Sequence, residues 1–455
     1  MGGYPGSAAT PTTAEMVAWI AEVVDQGIRR PGYPADEWVE RWGAERFTEI
    51  GLRDVRLEPV ETTCWLPRAH ATLRVWPAGR PEAAVDFTGL ALPFTAPTEG
   101  TEGTLAAMAG ESDVSGRFAV QEITLTTIPQ AHMATKATAS YDPEGAFADS
   151  FQTLPLDLVN GLGFDAAIAA GATAYVGLLT GAPWETHDYY WPYDATARPI
   201  PGLWLSPSDG RRLLELMAAG EHEARIVSDA EIVQRTTHNV IGTLPGASDH
   251  WVVVATHHDA PWASAVEDGS GIALVLAQAK LWASVPAEQR PHNLMFLLTT
   301  GHMARAAGTE AFVRDHADLL PELVLELHLE HAARRCVVQD GALVPTADPE
   351  TRWWFTTRSP ELEKNVLDAL QGEDVGRSWI LPPTALGPMP LTDGAFFHPA
   401  GVPLVQFITL PMYLFDPADT MDKVHEASLE PLTRAVARIV QGTEGVKPDG
   451  FRPAD

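Results

Sequence analysis

From about residue 232 onward the chain repeats one unit, a short apolar run followed by a polar break and a helix. "WVVVATHHD" and "HNLMFLLTT" read as buried strands, while "GSGIALVLAQAKLWA" and "GTEAFVRDHADLL" carry the helical rhythm. "ELVLELHLEH" and "GVPLVQFITL" are two more strands, and "SLEPLTRAVARIVQG" closes the chain as a helix. Strands without polar alternation are buried on both faces. The rhythm therefore predicts an α/β fold with a mainly parallel central sheet flanked by helices. In such sheets ligands sit beyond the carboxyl ends of the strands. Polar residues gather there in this chain: His257, His258 and Asp259, then His302, then Glu330 and His331. Imidazoles and carboxylates from several strand ends suit a divalent metal such as zinc, iron or manganese.

The earlier part of the chain reads differently. Residues 13–27 form an amphipathic helix opened by a threonine cap, residues 38–50 a second helix closed by Gly51, and "DVRLEPVETT" a strand. From residue 65 to about 150, Pro, Gly, Thr and short apolar runs mark β-rich structure. "GFDAAIAAGATAYVGLLTG" and "IPGLWLSPSDGRRLLELMAAG" each combine a helix with a strand. The aromatic stretch between them, "HDYYWPYD", either lines a binding cleft or packs on its own domain. The expected division is an N-terminal helical part at 1–65, a β-rich insert at 66–231 and the strand–helix domain at 232–455.

Composition narrows the partners. Asp+Glu 60 against Lys+Arg 31 gives a formal net charge of -29, which argues against nucleic acid and anionic membrane surfaces. The two cysteines, Cys64 and Cys336, lie far apart and exclude a disulfide scaffold or a cysteine zinc site. The N-terminus lacks the cationic start and apolar core of a secretory signal, and no segment has the length and apolarity of a bilayer span. The expected address is the cytoplasm.

The segment "THNVIGTLPGASDHWVVVATHHDAPWASAVEDGSGIALVLAQAK" resembles the co-catalytic zinc aminopeptidase family, which includes bacterial leucyl aminopeptidases, glutamate carboxypeptidase II and glutaminyl cyclases. Asn239-Val240, His257-His258-Asp259 and Asp268-Gly269-Ser270-Gly271 fall in register with its motifs, and "LTDGAFFHPAGVPLVQF" and "DPADTMDKV" match two later signatures. Residues preceding this region, "AAIAAGATAYVGLLTG" to "PGLWLSPSDGRRLLELMAAG", resemble the protease-associated domain found in many relatives. The resemblance implies that His257, Glu267 and Glu330 hold one divalent metal, zinc first and iron or manganese as alternatives. The family has Asp at the latter two positions.

The same alignment removes the family's second metal. Its ligand positions fall on Met303 and Phe415, a soft thioether and a phenyl ring that does not ligate. The family's Glu base becomes His302, an imidazole that serves as base or as an additional metal ligand. The resemblance further implies that Asp259 hydrogen-bonds the ligand His257 from behind and fixes its tautomer. Asp393 is expected to act as a structural cap. His328 shares a strand face with Glu330 and is expected to be a packed core histidine; His258 and His331 receive no role.

Three functions follow. The leading one is a mononuclear metal-dependent hydrolase of an amide or peptide-like bond in a small molecule or peptide. The second keeps the metal and runs a lyase, isomerase or iron-dependent oxygen reaction. The third is a non-catalytic, peptidase-like binding protein.

Overall fold

A computed structural model describes residues 9–108, 113–155 and 163–452. Nine strands form the large sheet: β1 (Arg53–Pro67), β2 (Ala139–Tyr141), β3 (Ala230–Leu244), β4 (Trp251–His257), β5 (Asn293–Thr299), β6 (Leu323–Leu329), β7 (Arg352–Thr356), β8 (Ser378–Leu381) and β9 (Leu404–Thr409). Their order across the sheet is β1-β3-β5-β4-β6-β9-β7-β8-β2. The centre, β5-β4-β6-β9, is parallel as expected. Toward the margins the sheet turns antiparallel, at β1-β3, β3-β5, β9-β7 and β8-β2.

The central strands bury both faces because each side chain meets a different layer. Val252 and Val254 of β4 join the cluster that includes Ile272 and Val275 of the helix Gly271–Ala283. Val253 and Ala255 face the opposite way, into a cluster with Phe312 of the helix Ala307–Asp315 and Phe397. The first face also carries the helices Thr13–Val24, Pro34–Ile50 and Glu426–Gln441. Thr12 caps the first of these, its hydroxyl accepting from the backbone N–H of Glu15. The second begins at Pro34, earlier than periodicity suggests, because proline at the first helical turn has no N–H to leave unpaired.

A seven-stranded sheet built from residues 71–228 is the second layer system. The chain leaves the large sheet after β1 and re-enters at β3, and these two strands pair antiparallel from Arg53↔Thr243 to Pro67↔Ala230. This segment is not confined to its own sheet. Its strand β2 crosses to the far margin of the large sheet and pairs with β8. Both cysteines are free and buried, and no helix among the described residues is long and apolar enough to cross a membrane.

One side chain of β3 matters for what lies beyond the strand ends. Asn239 is buried, its amide oxygen accepting from the N–H of Thr300 (3.0 Å) and its amide N–H donating to the carbonyl of Gly308 (2.9 Å). It thereby ties both ends of the turn that carries His302. Any side chain at Gly308 would collide with Asn239 Oδ1 and the backbone of Thr300. Replacing Asn239 by Ala leaves the buried N–H of Thr300 unpaired, an expected loss of about 1–3 kcal/mol of unfolding free energy. The midpoint of urea unfolding measures this, and an unchanged midpoint would contradict it.

Candidate metal centre

The carboxyl ends of the parallel strands converge. β4 ends on His257, and β5 runs through Gly301 (φ 72°) into the short turn His302–Ala304. β6 is followed by Glu330 and His331, and the turn Ala265–Ser270 before the helix Gly271–Ala283 supplies Glu267. Five non-glycine residues around this edge have left-handed backbone: Arg305, Ala306, His331, Thr392 and Phe415. Such conformations persist only where the surroundings over-determine them, and they concentrate at functional sites.

His257, Glu267 and Glu330 are each fully buried; His257 shares one candidate ligand set with Glu267 and another with Glu330. Glu267 Oε1 lies 3.4 Å from His257 Nε2 and 3.4 Å from His302 Nε2. The rings of His257 and His302 stack, with centroids 3.9 Å apart and planes 10° from parallel. His331, unassigned in the sequence, brings its Nε2 into contact with Glu267 Oε2 and to 3.6 Å from Glu330 Oε2. Two overlapping donor sets result, His257–Glu330–His331 and His257–Glu267–His302, each with ligand atoms within 4.8 Å of one another. His257 Nε2, both oxygens of Glu267, Glu330 Oε2 and His331 Nε2 are buried without a hydrogen-bond partner.

The supporting shell corrects three expectations. The Asp259 carboxylate does not reach His257, its Oδ1 lying 4.0 Å from Nδ1. The Asp259 backbone carbonyl does, 2.9 Å from Nδ1, and the carboxylate instead accepts from the N–H groups of His302 (2.9 Å) and Met303 (2.8 Å). Asp259 therefore secures two strand ends, one through its main chain and one through its side chain. Asp393 is more than a cap. Its Oδ1 lies 2.5 Å from His302 Nδ1, while Oδ2 accepts from the hydroxyls of Thr299 and Thr309. His328 is fully buried, but between carboxylates rather than among apolar groups: 3.1 Å from Glu326 and 2.9 Å from Glu330. Asp419, from the last signature, accepts the N–H groups of Val266 and Glu267 and so holds the turn that presents Glu267. His258 turns away, pairing with Asp36 at 3.0 Å.

Burial and charge oppose one another across the cluster. Burial pushes the His257 imidazole down to about 4, and the charge on His302 adds to this. Burial acts the same way on His302 and His331, but is outweighed, for His302 by Asp393 and for His331 by Glu267. Each is held up at about 10. Glu267 and Glu330 resist the upward push of burial and stay below the usual carboxylate range, Glu267 through the charge of His331 and Glu330 through His328.

Aromatic groups fill the other side. Met303 and Phe415 are buried. The Phe415 ring lies 5.2 Å from Tyr193 and 5.4 Å from Trp191, and its carbonyl accepts from Trp262 Nε1 and the N–H of Tyr190. Tyr193 stacks on His302 with centroids 5.2 Å apart. The aromatic stretch at 187–194 thus roofs the site instead of packing solely on its own sheet. His302 beneath it is only 3% exposed.

A crossover α/β sheet with a buried imidazole–carboxylate cluster at its parallel strand ends is the layout of a metal-dependent hydrolase. Comparison with known proteins agrees with this. Residues 239–440 match the model of peptidase family M28, in line with the resemblance to zinc aminopeptidases. The fold is similar to a peptidase M28 precursor from Shewanella amazonensis (17% identity, 99% of this chain and 97% of that one, TM-score 0.73). It is also similar to a zinc aminopeptidase from Bacillus subtilis (17%, 98% and 99%, 0.67) and an aminopeptidase from an Aneurinibacillus strain (18%, 99% and 98%, 0.64). The comparison with curated proteins returned no match.

The stacked roof yields a prediction. Tyr193→Ala removes an aromatic contact worth about 1.4 kcal/mol at most, so zinc loaded into the protein should be stripped by EDTA roughly tenfold faster. An unchanged stripping rate would show that Tyr193 does not cover the site.

Proposed function

We propose that this chain is a mononuclear zinc hydrolase of an amide or peptide-like bond. The observation that carries the reading is the set of unpartnered buried atoms on His257, Glu267 and Glu330. Each buried group left unpaired costs about 1–3 kcal/mol, and more when charged. A divalent cation held by all three would satisfy these atoms together, and imidazole with carboxylate oxygens is a donor set that suits zinc. Such an ion would supply Lewis acidity, polarising a substrate carbonyl and lowering the pKa of a bound water.

The protein's own groups supply the rest. Asp393 fixes the His302 ring through Nδ1, leaving Nε2 directed at the cluster. With a divalent ion offsetting the Glu267 and Glu330 carboxylates that help keep the imidazole protonated, His302 would accept a proton at Nε2 from the attacking water and return it to the leaving nitrogen. Buried Tyr189 and half-buried Tyr193 and Trp191 exclude bulk water on the side where Met303 and Phe415 stand. Neither of those two side chains offers a donor for a second hard cation, so the reading is of one ion per chain. A peptide-like substrate is supported by the family and by neighbours described as aminopeptidases.

Elemental analysis of protein purified from zinc-replete medium should return one zinc per chain. His257→Ala should lose both the zinc and hydrolysis of aminoacyl amides. His302→Ala should keep the zinc and lose on the order of 10²–10⁴ in kcat. Two zinc ions per chain, or full activity in His302→Ala, would contradict the proposal.

A further inference from the structure

We infer that His331 is a direct metal ligand, so that the ion is held by two imidazoles and two carboxylates: His257, His331, Glu267 and Glu330. This rests on the zinc-site reading above and adds a donor that the resemblance does not assign. Strand alternation would turn residue 331 to the face opposite Glu330. The left-handed backbone of His331 (φ 57°) turns it back. Three bonds hold that conformation. Its N–H donates to Asp268 Oδ1 (3.2 Å), its carbonyl accepts from the Thr409 hydroxyl (2.7 Å), and its Nδ1 lies 2.8 Å from the Thr409 carbonyl.

The last contact defines the ring. A carbonyl only accepts, so Nδ1 carries the proton, and in the neutral imidazole the lone pair is on Nε2. That atom is buried and lies 3.6 Å from Glu330 Oε2, and His331, His257 and Glu330 form one set with ligand atoms within 4.8 Å of one another. The contact of Nε2 with Glu267 Oε2 is an ion pair that a bound cation would replace. An imidazole tied at Nδ1 to a main-chain oxygen, with Nε2 facing carboxylates, is the arrangement of a histidine ligand. His302 shares the Nδ1 tether but spends it on Asp393, and it lies under Tyr193 in the other donor set.

The distinction has a measurable consequence. Losing an outer partner of a ligand lowers metal affinity about 10–100-fold, so loss of a ligand itself should exceed roughly 100-fold. Asn tolerates the left-handed conformation, which makes His331→Asn the gentlest test. X-ray absorption on the zinc-loaded full chain counts imidazoles through their multiple scattering. We expect two per zinc in the native protein, one in His331→Asn with zinc affinity down more than 100-fold, and two in His302→Gln. The unfolding midpoint of the metal-free His331→Asn protein shows that the fold is retained, and His331→Gln provides a second variant should it not be. One imidazole per zinc in the native protein, or unchanged affinity in both His331 variants, overturns the inference while leaving a zinc site on His257, Glu267 and Glu330. Three imidazoles falling to two in His331→Asn supports it and instead removes His302 from the role of base. A native protein that takes up no zinc overturns both readings.

Discussion

A carboxylate stripped of water and set among imidazoles governs this molecule. Glu267 is fully buried, with two Nε2 atoms 3.4 Å from one of its oxygens and a third in contact with the other. A buried charge without hydrogen bonds is tolerable only beside opposite charge. Much of the surrounding architecture exists to hold that arrangement. Asp419 caps the turn that bears Glu267, the buried Arg29 guanidinium donates to the carbonyls of Ser264 and Glu267, and Asn239, Asp259 and Asp393 secure the turn that bears His302. The parallel strands bring these groups to one edge because their side chains pack against helices on both faces, leaving polar chemistry only at the carboxyl ends.

On the proposed one-metal reading, the site differs from a two-metal peptidase by exchange of material rather than by simple loss. Where the resemblance places a second set of donors, Met303 and Phe415 contribute apolar bulk, and the stretch at 187–194 supplies aromatic rings beside it. Arg30 braces this roof, its guanidinium lying 4.8 Å from the Tyr190 ring and 4.4 Å from that of Trp262. The cover comes from the β-rich segment and its support from the strand–helix domain, so the two share responsibility for access.

The centre of the sheet was legible because unbroken apolar runs have one stable environment, and the polar residues at their ends were legible for the same reason. The antiparallel margins were not, since β2 and β8 are only 3 and 4 residues long and their pairing joins positions more than 200 apart. Ligand candidates on strand ends, His257 and Glu330, followed from position. His331 stood at the same edge but received no role, because a single left-handed residue reverses the alternation on which face assignment depends. The partners of His302 and His257 were likewise hidden. Nothing in the local sequence distinguishes an aspartate that acts through its carboxylate, as Asp393 does, from one that acts on its neighbour through its carbonyl, as Asp259 does. The aromatic stretch was recognisable as unusual, but its two destinations could be separated only by seeing Tyr193 on His302.

The central claim is that these strand ends grip one cation and no more. Diffraction from crystals grown with zinc, recorded on either side of the zinc absorption edge, tests it directly. The account predicts one anomalous peak per chain, bounded by His257, Glu267, Glu330 and His331. A second peak beside Met303 and Phe415, or no peak with those four side chains diverging, would contradict it.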